Sequence, residues 1–226
     1  MGNFIILSEI RTGSTHTARF LDSVHGIRMW QSSKDNKDQY EILKKTNNHR
    51  KRLTNFYSKV SDKTLGSKIP IRQINNYGMV CNFIVKKDIQ PVILTRQSEV
   101  EKILSAMYAK LSGKWHQLSN IPNTKSVKVN IDDIRKKYVP MYIEEKHSMD
   151  FIREQLTHRP IIEIYYEDIV TDNGKKDLLS KLGVEWKDKY ADIRNEKKLL
   201  SNPYEEYFVN FKEVLGTIKE ELYKGG

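Results

Sequence analysis

The sequence predicts an α/β fold, a single-domain three-layer sandwich with helices on both faces of a central parallel sheet. Short apolar runs at 3–8, 91–95 and 161–165 alternate with longer segments whose apolar residues recur at helical spacing. Strands that alternate with helices pair in parallel, with a helix at each crossover. Two of the runs end in an arginine, Arg11 and Arg96, and open α/β sheets take their ligands at the carboxyl ends of the strands. A chain of 226 residues buries one sizeable core, so one domain over 1–226 is expected.

Taken in order, a strand over 3–8 feeds a turn and a helix over 14–24. The region 28–64 is polar, rich in Lys, Asn, Asp and Ser, with helices expected near 38–46 and 49–60 and with Trp30, Tyr40, Phe56 and Tyr57 as apolar anchors. A strand or extended turn follows at 67–71, then a helix over 71–77. Cys81, in Met79-Val80-Cys81-Asn82-Phe83, reads as packed core rather than nucleophile. The strand at 91–95 leads to a helix over 98–112, with Val100, Ile103, Leu104, Met107 and Leu111 on one face. Ser98 and Glu101 form a capping box at its start. After a polar loop at 113–129 comes a long helix over 131–157, which Pro140 must kink or split. A strand at 161–165, a helix at 173–182 and a closing helix at 204–223 complete the chain.

The first strand ends in Glu9-Ile10-Arg11-Thr12-Gly13-Ser14-Thr15 and runs into His16-Thr17-Ala18-Arg19-Phe20-Leu21. Amides at a helix start have no intrahelical acceptor, and the helix dipole is positive there. With the Ser14 and Thr15 hydroxyls and the charge of Arg11, they form a cradle for a phosphate-like group. The nucleotide P-loop pattern Gly-x-x-x-x-Gly-Lys-Ser/Thr is absent.

Arg-Thr-Gly-Ser-Thr at 11–15 resembles the 5′-phosphosulfate-binding loop of sulfotransferases that use 3′-phosphoadenosine 5′-phosphosulfate (PAPS). A second stretch, Leu94-Thr95-Arg96 through Ile103-Leu104-Ser105, then Ala109, Gly113 and Trp115, is similar to the corresponding segment of the bacterial trehalose sulfotransferase family. The resemblance implies a P-loop-like sulfotransferase fold, PAPS as sulfate donor, and Arg96 with Ser105 on its 3′-phosphate. Gly66-Ser67-Lys68-Ile69-Pro70 resembles the segment whose Lys lies beside the reacting sulfuryl group. Tyr165-Tyr166-Glu167-Asp168-Ile169 resembles a late Tyr-Glu-Asp-Leu segment that closes the sheet and caps the following helix. Lys197, Lys198, Pro203, Val209-Asn210-Phe211 and Glu213 look like the C-terminal segment, here 195–226, that covers the cofactor and starts the last helix. Residues 28–64 would then be an acceptor-side insertion or lid, where Trp30 either packs or stacks on an acceptor.

On this resemblance Arg11, Thr12, Gly13, Ser14, Thr15, Arg96, Ser105, Lys197 and Lys198 bind the cofactor and Lys68 and Arg11 carry the chemistry; His16 joins the catalytic candidates from its place beside the loop alone. The general base is left open. The trehalose family places a Glu where this chain has Gln31, Ser32 and Ser33, and cytosolic sulfotransferases carry a His where it has Ile69 and Pro70. His16, Glu9 and His25 are the candidates, in that order. A nucleotide-binding module without turnover, or a basic nucleic-acid-binding protein, remains as an alternative.

Composition bounds the partners. Lys and Arg number 39 against 29 Asp and Glu, a net charge of +10, which suits nucleic acid, anionic lipid or an anionic small cofactor. Runs such as Lys44-Lys45, Asn47-Asn48-His49-Arg50-Lys51-Arg52 and Lys86-Lys87 lack a zinc-finger spacing, an RNA-binding aromatic signature or a basic zipper, which disfavours nucleic acid. The expected partner is a small-molecule or carbohydrate acceptor. The six histidines show no metal-ligand cluster, so no metal is expected. The single cysteine excludes an intramolecular disulfide, and no apolar run is long enough to span a bilayer. A cytoplasmic location is expected.

Overall fold

The computed structural model describes residues 2–30, 42–43, 48–59, 61–113, 126–190 and 204–224. Tyr40, most of the helix expected near 38–46, Trp115, Lys197, Lys198 and Pro203 lie outside the described residues. Two compact units are present, Met1–Gln97 with His147–Asn195, and Ser98–Lys146 with Glu196–Gly226.

The first unit contains a fully parallel sheet of five strands in the order β2-β3-β1-β4-β5. The strands are β1 (Phe4–Ser8), β2 (Ile27–Met29), β3 (Thr64–Pro70), β4 (Gln90–Thr95) and β5 (Ile162–Tyr165). β1 is central and wholly buried, and its side chains alternate between two cores. Phe4 and Ile6 pack with Val92, Leu94 and helices α1 (Ser14–Asp22) and α8 (Asp172–Lys181) on one face. Ile5 and Leu7 pack with Ile69, Ile93 and helices α2 (His49–Tyr57) and α3 (Tyr77–Lys86) on the other, together with Met149 and Ile152. This alternation follows from the two-residue repeat of a strand covered on both faces. It makes the α/β sandwich with a central parallel sheet, as the alternating pattern predicts.

β2 has no counterpart among the expected elements. It is an edge strand of three residues, too short to declare a period, with Arg28 exposed between buried Ile27 and Met29. β3 begins at Thr64, earlier than the strand expected from 67, because Gly66 and Lys68 break its apolar signal. Gly66 is there for close approach: a Cβ at this position would lie 2.3 Å from the Phe4 ring and 2.5 Å from the Met29 sulfur.

The helix expected at 71–77 is replaced by a single 3-10 turn, Ile71–Gln73, and α3 starts only at Tyr77. Asn76 sets this boundary, since its side chain accepts a hydrogen bond from the Met79 amide at 2.8 Å. Cys81 is buried on α3, and burial pushes its thiol up to about 11, in keeping with a core role. Across the strand ends of the same face, the buried Tyr57 hydroxyl bonds to the Phe4 carbonyl and to Ser67 Oγ, each at 2.6 Å.

The second unit is helical. α4 (Glu99–Ser112) is capped by Ser98, whose hydroxyl accepts from the Glu101 amide at 3.2 Å, and it ends at Gly113 in the left-handed conformation. Ile103, Leu104 and Met107 are buried as the spacing predicts, but Leu111 is exposed and Tyr108 takes the buried position instead. The long helix is continuous from Ile131 to Gln155 but irregular. A turn at α5 (Ile131–Asp133) and a π turn at Ile134–Tyr138 lead directly into α6 (Val139–Gln155), with the Val139 amide donating to the Ile134 carbonyl, so Pro140 lies inside the helix just after the π turn. The closing helix is divided. Tyr204–Glu206 forms a 3-10 turn, Phe208 bridges to Val127, and the Asn210 side chain both donates to and accepts from the Val129 backbone at 3.0 Å. That pairing fixes the turn from which α9 (Phe211–Leu222) begins. Among the described residues no helix is long and apolar enough to cross a membrane.

Candidate active site

The strand order places a topological switch between β1 and β4. The chain leaves β1 toward β2 and β3 on one side, and leaves β4 toward β5 on the other. Ligands of open parallel sheets bind in the crevice this creates at the carboxyl ends. Both arginines singled out in the sequence stand there, Arg11 after β1 and Arg96 directly after β4.

The loop after β1 is tightly folded. The Thr12 hydroxyl donates to the Glu9 carbonyl at 2.9 Å, and Arg11 and Gly13 both take positive φ, 60° and 70°. Gly13 is the N-cap residue of α1 and contributes no side-chain cap. The first intrahelical bond runs from the Thr17 amide to the Gly13 carbonyl at 3.0 Å. The amides of Ser14, Thr15 and His16 therefore lie outside the helical ladder and face the loop as donors.

Two other elements reach this loop. Lys68, on β3 beside Ile6, is only 1% exposed, and its amine donates to Thr15 Oγ1 at 2.9 Å. A buried ammonium needs polar partners, so its placement against the loop hydroxyl is a strong constraint on the site. From the other side comes the short helix α7 (Tyr166–Ile169), which directly follows β5. The Tyr166 ring lies where a Gly13 Cβ would project, and the Arg96 guanidinium sits 5.3 Å from the centre of that ring. Arg96 Nε donates to Glu167 Oε1 at 3.2 Å, and the Gln97 amide donates to Glu167 Oε2 at 3.1 Å.

The Tyr-Glu-Asp segment was expected to cap the following helix. Instead Thr171 caps α8, accepting from the Gly174 amide at 3.0 Å, while Tyr166 and Glu167 turn toward Gly13 and Arg96. The sequence signal for this was the position of the segment at a strand end, the same signal that marked Arg11 and Arg96.

His16 is buried in the first turn of α1, and its Nε2 has no hydrogen-bond partner among the described residues. Burial, then the charges of Lys175 and Arg19, push its pKa down to about 4. It is therefore neutral at pH 7 and a weak base. The same shift makes stability depend on pH. In the unfolded chain the imidazole takes up a proton below its ordinary value near 6.5, whereas the folded protein resists protonation until about 4. Stability is thus present above pH 6.5 and lost as pH falls toward 4. Between pH 7 and pH 5 the loss through this group is about 2 kcal/mol. Urea unfolding at the two pH values should show this difference in the wild type and a reduced difference in His16→Gln.

Of the other candidate bases, Glu9 is buried at the start of the loop, whereas His25 is exposed just before β2, at the amino end of the sheet and away from the loop. Sequence proximity had grouped His25 with the site, but α1 carries the chain back across the sheet before that residue. Ser105 is buried on α4 in the second unit. Trp30 is half-buried and extends β2, its amide donating to the Gly66 carbonyl at 2.7 Å. With Arg52, 5.7 Å from its ring centre, and with Lys51 and Lys59, it lines a cavity of about 300 Å³.

Solved structures similar to this chain include a sulfotransferase domain from the curacin biosynthetic pathway, at 12% identity and a TM-score of 0.44, covering 89% of this chain and 82% of that one. They also include a sulfotransferase from Alicyclobacillus acidocaldarius, at 15% identity and a TM-score of 0.49, covering 99% of this chain and 96% of that one. No protein-family model and no curated protein matches the sequence.

Proposed function

We propose that this chain is a sulfotransferase that moves a sulfuryl group from PAPS to a hydroxyl or amine of a small-molecule or carbohydrate acceptor. The observation that carries the reading is the buried Lys68 amine bonded to Thr15 inside an Arg-Thr-Gly-Ser-Thr turn at the switch point of a parallel sheet. The lysine comes from a neighbouring strand rather than from the loop itself, which separates the arrangement from a Walker-type phosphate loop.

The donor would supply an activated sulfuryl group: the acceptor atom forms a bond to sulfur, the sulfur–oxygen bond to the 5′-phosphate breaks, and the acceptor proton passes to a base. Arg11, the Ser14 and Thr15 hydroxyls and the amides of the turn from Thr12 to Thr15 suit the 5′ end, through the positive end of α1 and a dense set of donors. Lys68 is suited to the bridging oxygen, where negative charge grows as the bond breaks. Arg96 offers a planar fork for the 3′-phosphate, and the sequence pattern adds Ser105, Lys197 and Lys198 to the cofactor set. Residues 28–64 remain our assignment for the acceptor side, with the Trp30 cavity as their described part.

One observation favours a second reading, a nucleotide-binding module without turnover: the depressed basicity of His16 leaves the first-ranked base weak. That reading shares the cofactor site and differs only in giving no transferred label from radioactive donor.

Arg96→Ala and Ser105→Ala test the site itself. Loss of a charge-assisted contact costs at least about 1.5 kcal/mol, roughly tenfold in affinity. Arg96→Ala should weaken adenosine 3′,5′-bisphosphate binding by that factor, and Ser105→Ala by less. If calorimetry finds both variants within about threefold of wild type, the two-phosphate site is wrong.

A further inference from the structure

The Tyr166–Glu167 dipeptide touches the residues assigned to both phosphates, and none of the roles above uses it. Its two side chains divide the work. Glu167 spends one carboxylate oxygen on Arg96 Nε, at 3.2 Å, and the other on the Gln97 amide, at 3.1 Å. The carboxylate is thus anchored to the backbone that follows β4, and it grips the guanidinium from its Nε side. The two terminal nitrogens of a guanidinium form one of the edges through which it takes a phosphate in bidentate fashion. Tyr166 supplies the second restraint. Its ring faces the guanidinium at 5.3 Å, a cation–π distance, and the same ring closes over Gly13 in the turn before α1.

We infer that Tyr166 and Glu167 are positioning residues that hold Arg96 at a set separation and orientation relative to the Arg11–Thr15 turn, and so select a nucleotide bearing phosphates on both its 3′ and 5′ carbons. The inference rests on the sulfotransferase reading, because it takes Arg96 as the 3′-phosphate ligand. An arginine side chain left to itself has many rotamers, and fixing it before the ligand arrives removes that entropic cost from binding. The selectivity then belongs to the geometry of α7 as much as to Arg96, and a nucleotide that lacks the 3′-phosphate gains nothing from it.

The test compares two ligands on the full chain by calorimetry: adenosine 3′,5′-bisphosphate and adenosine 5′-phosphate, which differ only in the 3′-phosphate. Wild type should prefer the bisphosphate by about tenfold or more. Glu167→Ala should erase most of that preference while leaving affinity for adenosine 5′-phosphate within about twofold. Glu167→Gln, which keeps one oxygen acceptor but loses the charge, should fall between the two and supplies the answer if the alanine variant does not fold. Tyr166→Leu should also narrow the preference. A preference retained in full by Glu167→Gln and Tyr166→Leu would overturn the positioning role and leave the sulfotransferase reading intact. Equal affinity of the wild type for both ligands would overturn the reading and the positioning role together.

Discussion

Replacing Lys68 with methionine should lower sulfuryl transfer by about 10²–10³-fold while changing adenosine 3′,5′-bisphosphate affinity less than tenfold. The asymmetry follows from where the charge is needed. On the proposed reading several donors would share the phosphate oxygens in the bound ground state, so the loss of one is diluted. In the transition state the bridging oxygen gains negative charge, and a buried ammonium beside it acts in a site largely closed to water. Lys68 is 1% exposed and already directed onto Thr15 Oγ1, so its amine needs no reorganisation to serve there. Methionine preserves the length and packing of the side chain, which separates loss of charge from creation of a cavity. The measurement is turnover with radiolabelled donor, on the acceptor that wild type uses, beside a calorimetric affinity for the desulfated product. A variant that loses both in proportion would make Lys68 a binding residue rather than a catalytic one.

Gly13→Ala should destabilise the protein by about 2–5 kcal/mol and abolish nucleotide binding at ligand concentrations that saturate the wild type. Two independent costs add. The backbone holds φ at 70°, a left-handed conformation that costs an L-residue with a Cβ about 1–2 kcal/mol. In addition the Cβ would lie 2.1 Å from Tyr166 Cδ2, an overlap that only movement of the ring or the turn can relieve, at about 1–3 kcal/mol. Relief by the ring would draw Tyr166 away from Arg96, and relief by the turn would rotate the amides that form the cradle. Denaturant unfolding reads the first effect, and calorimetry the second. Trimming the ring in the double variant Gly13→Ala/Tyr166→Ala should recover part of the stability but not the binding, because the left-handed strain and the loss of Tyr166 both persist.

The parts of this protein that the sequence declares are those in which one kind of residue repeats. β1 and β4 appear as uninterrupted apolar runs because both faces of the sheet are covered there, whereas edge strand β5 alternates buried Ile162 and Ile164 with exposed Glu163 and Tyr165. The loop from Arg11 to Thr15 is equally plain, since basic, glycine and hydroxyl residues interrupt an apolar strand at one point. β3 is less legible, because its glycine and lysine serve close packing and the loop contact rather than strand propensity. The apolar pattern alone starts α3 too early, because the Asn76 cap decides where it begins. The engagement of Arg96 by Glu167 joins residues far apart in sequence, and local spacing carries no sign of such a pairing. Nor does it reveal that burial beside Lys175 weakens His16 as a base.

Calorimetric titration of the full chain with adenosine 3′,5′-bisphosphate against ATP decides whether the nucleotide site is built for two separate phosphates. The two-phosphate site predicts that the bisphosphate binds at least about tenfold more tightly than ATP. Equal affinity for the two, or tighter binding of ATP, would contradict it.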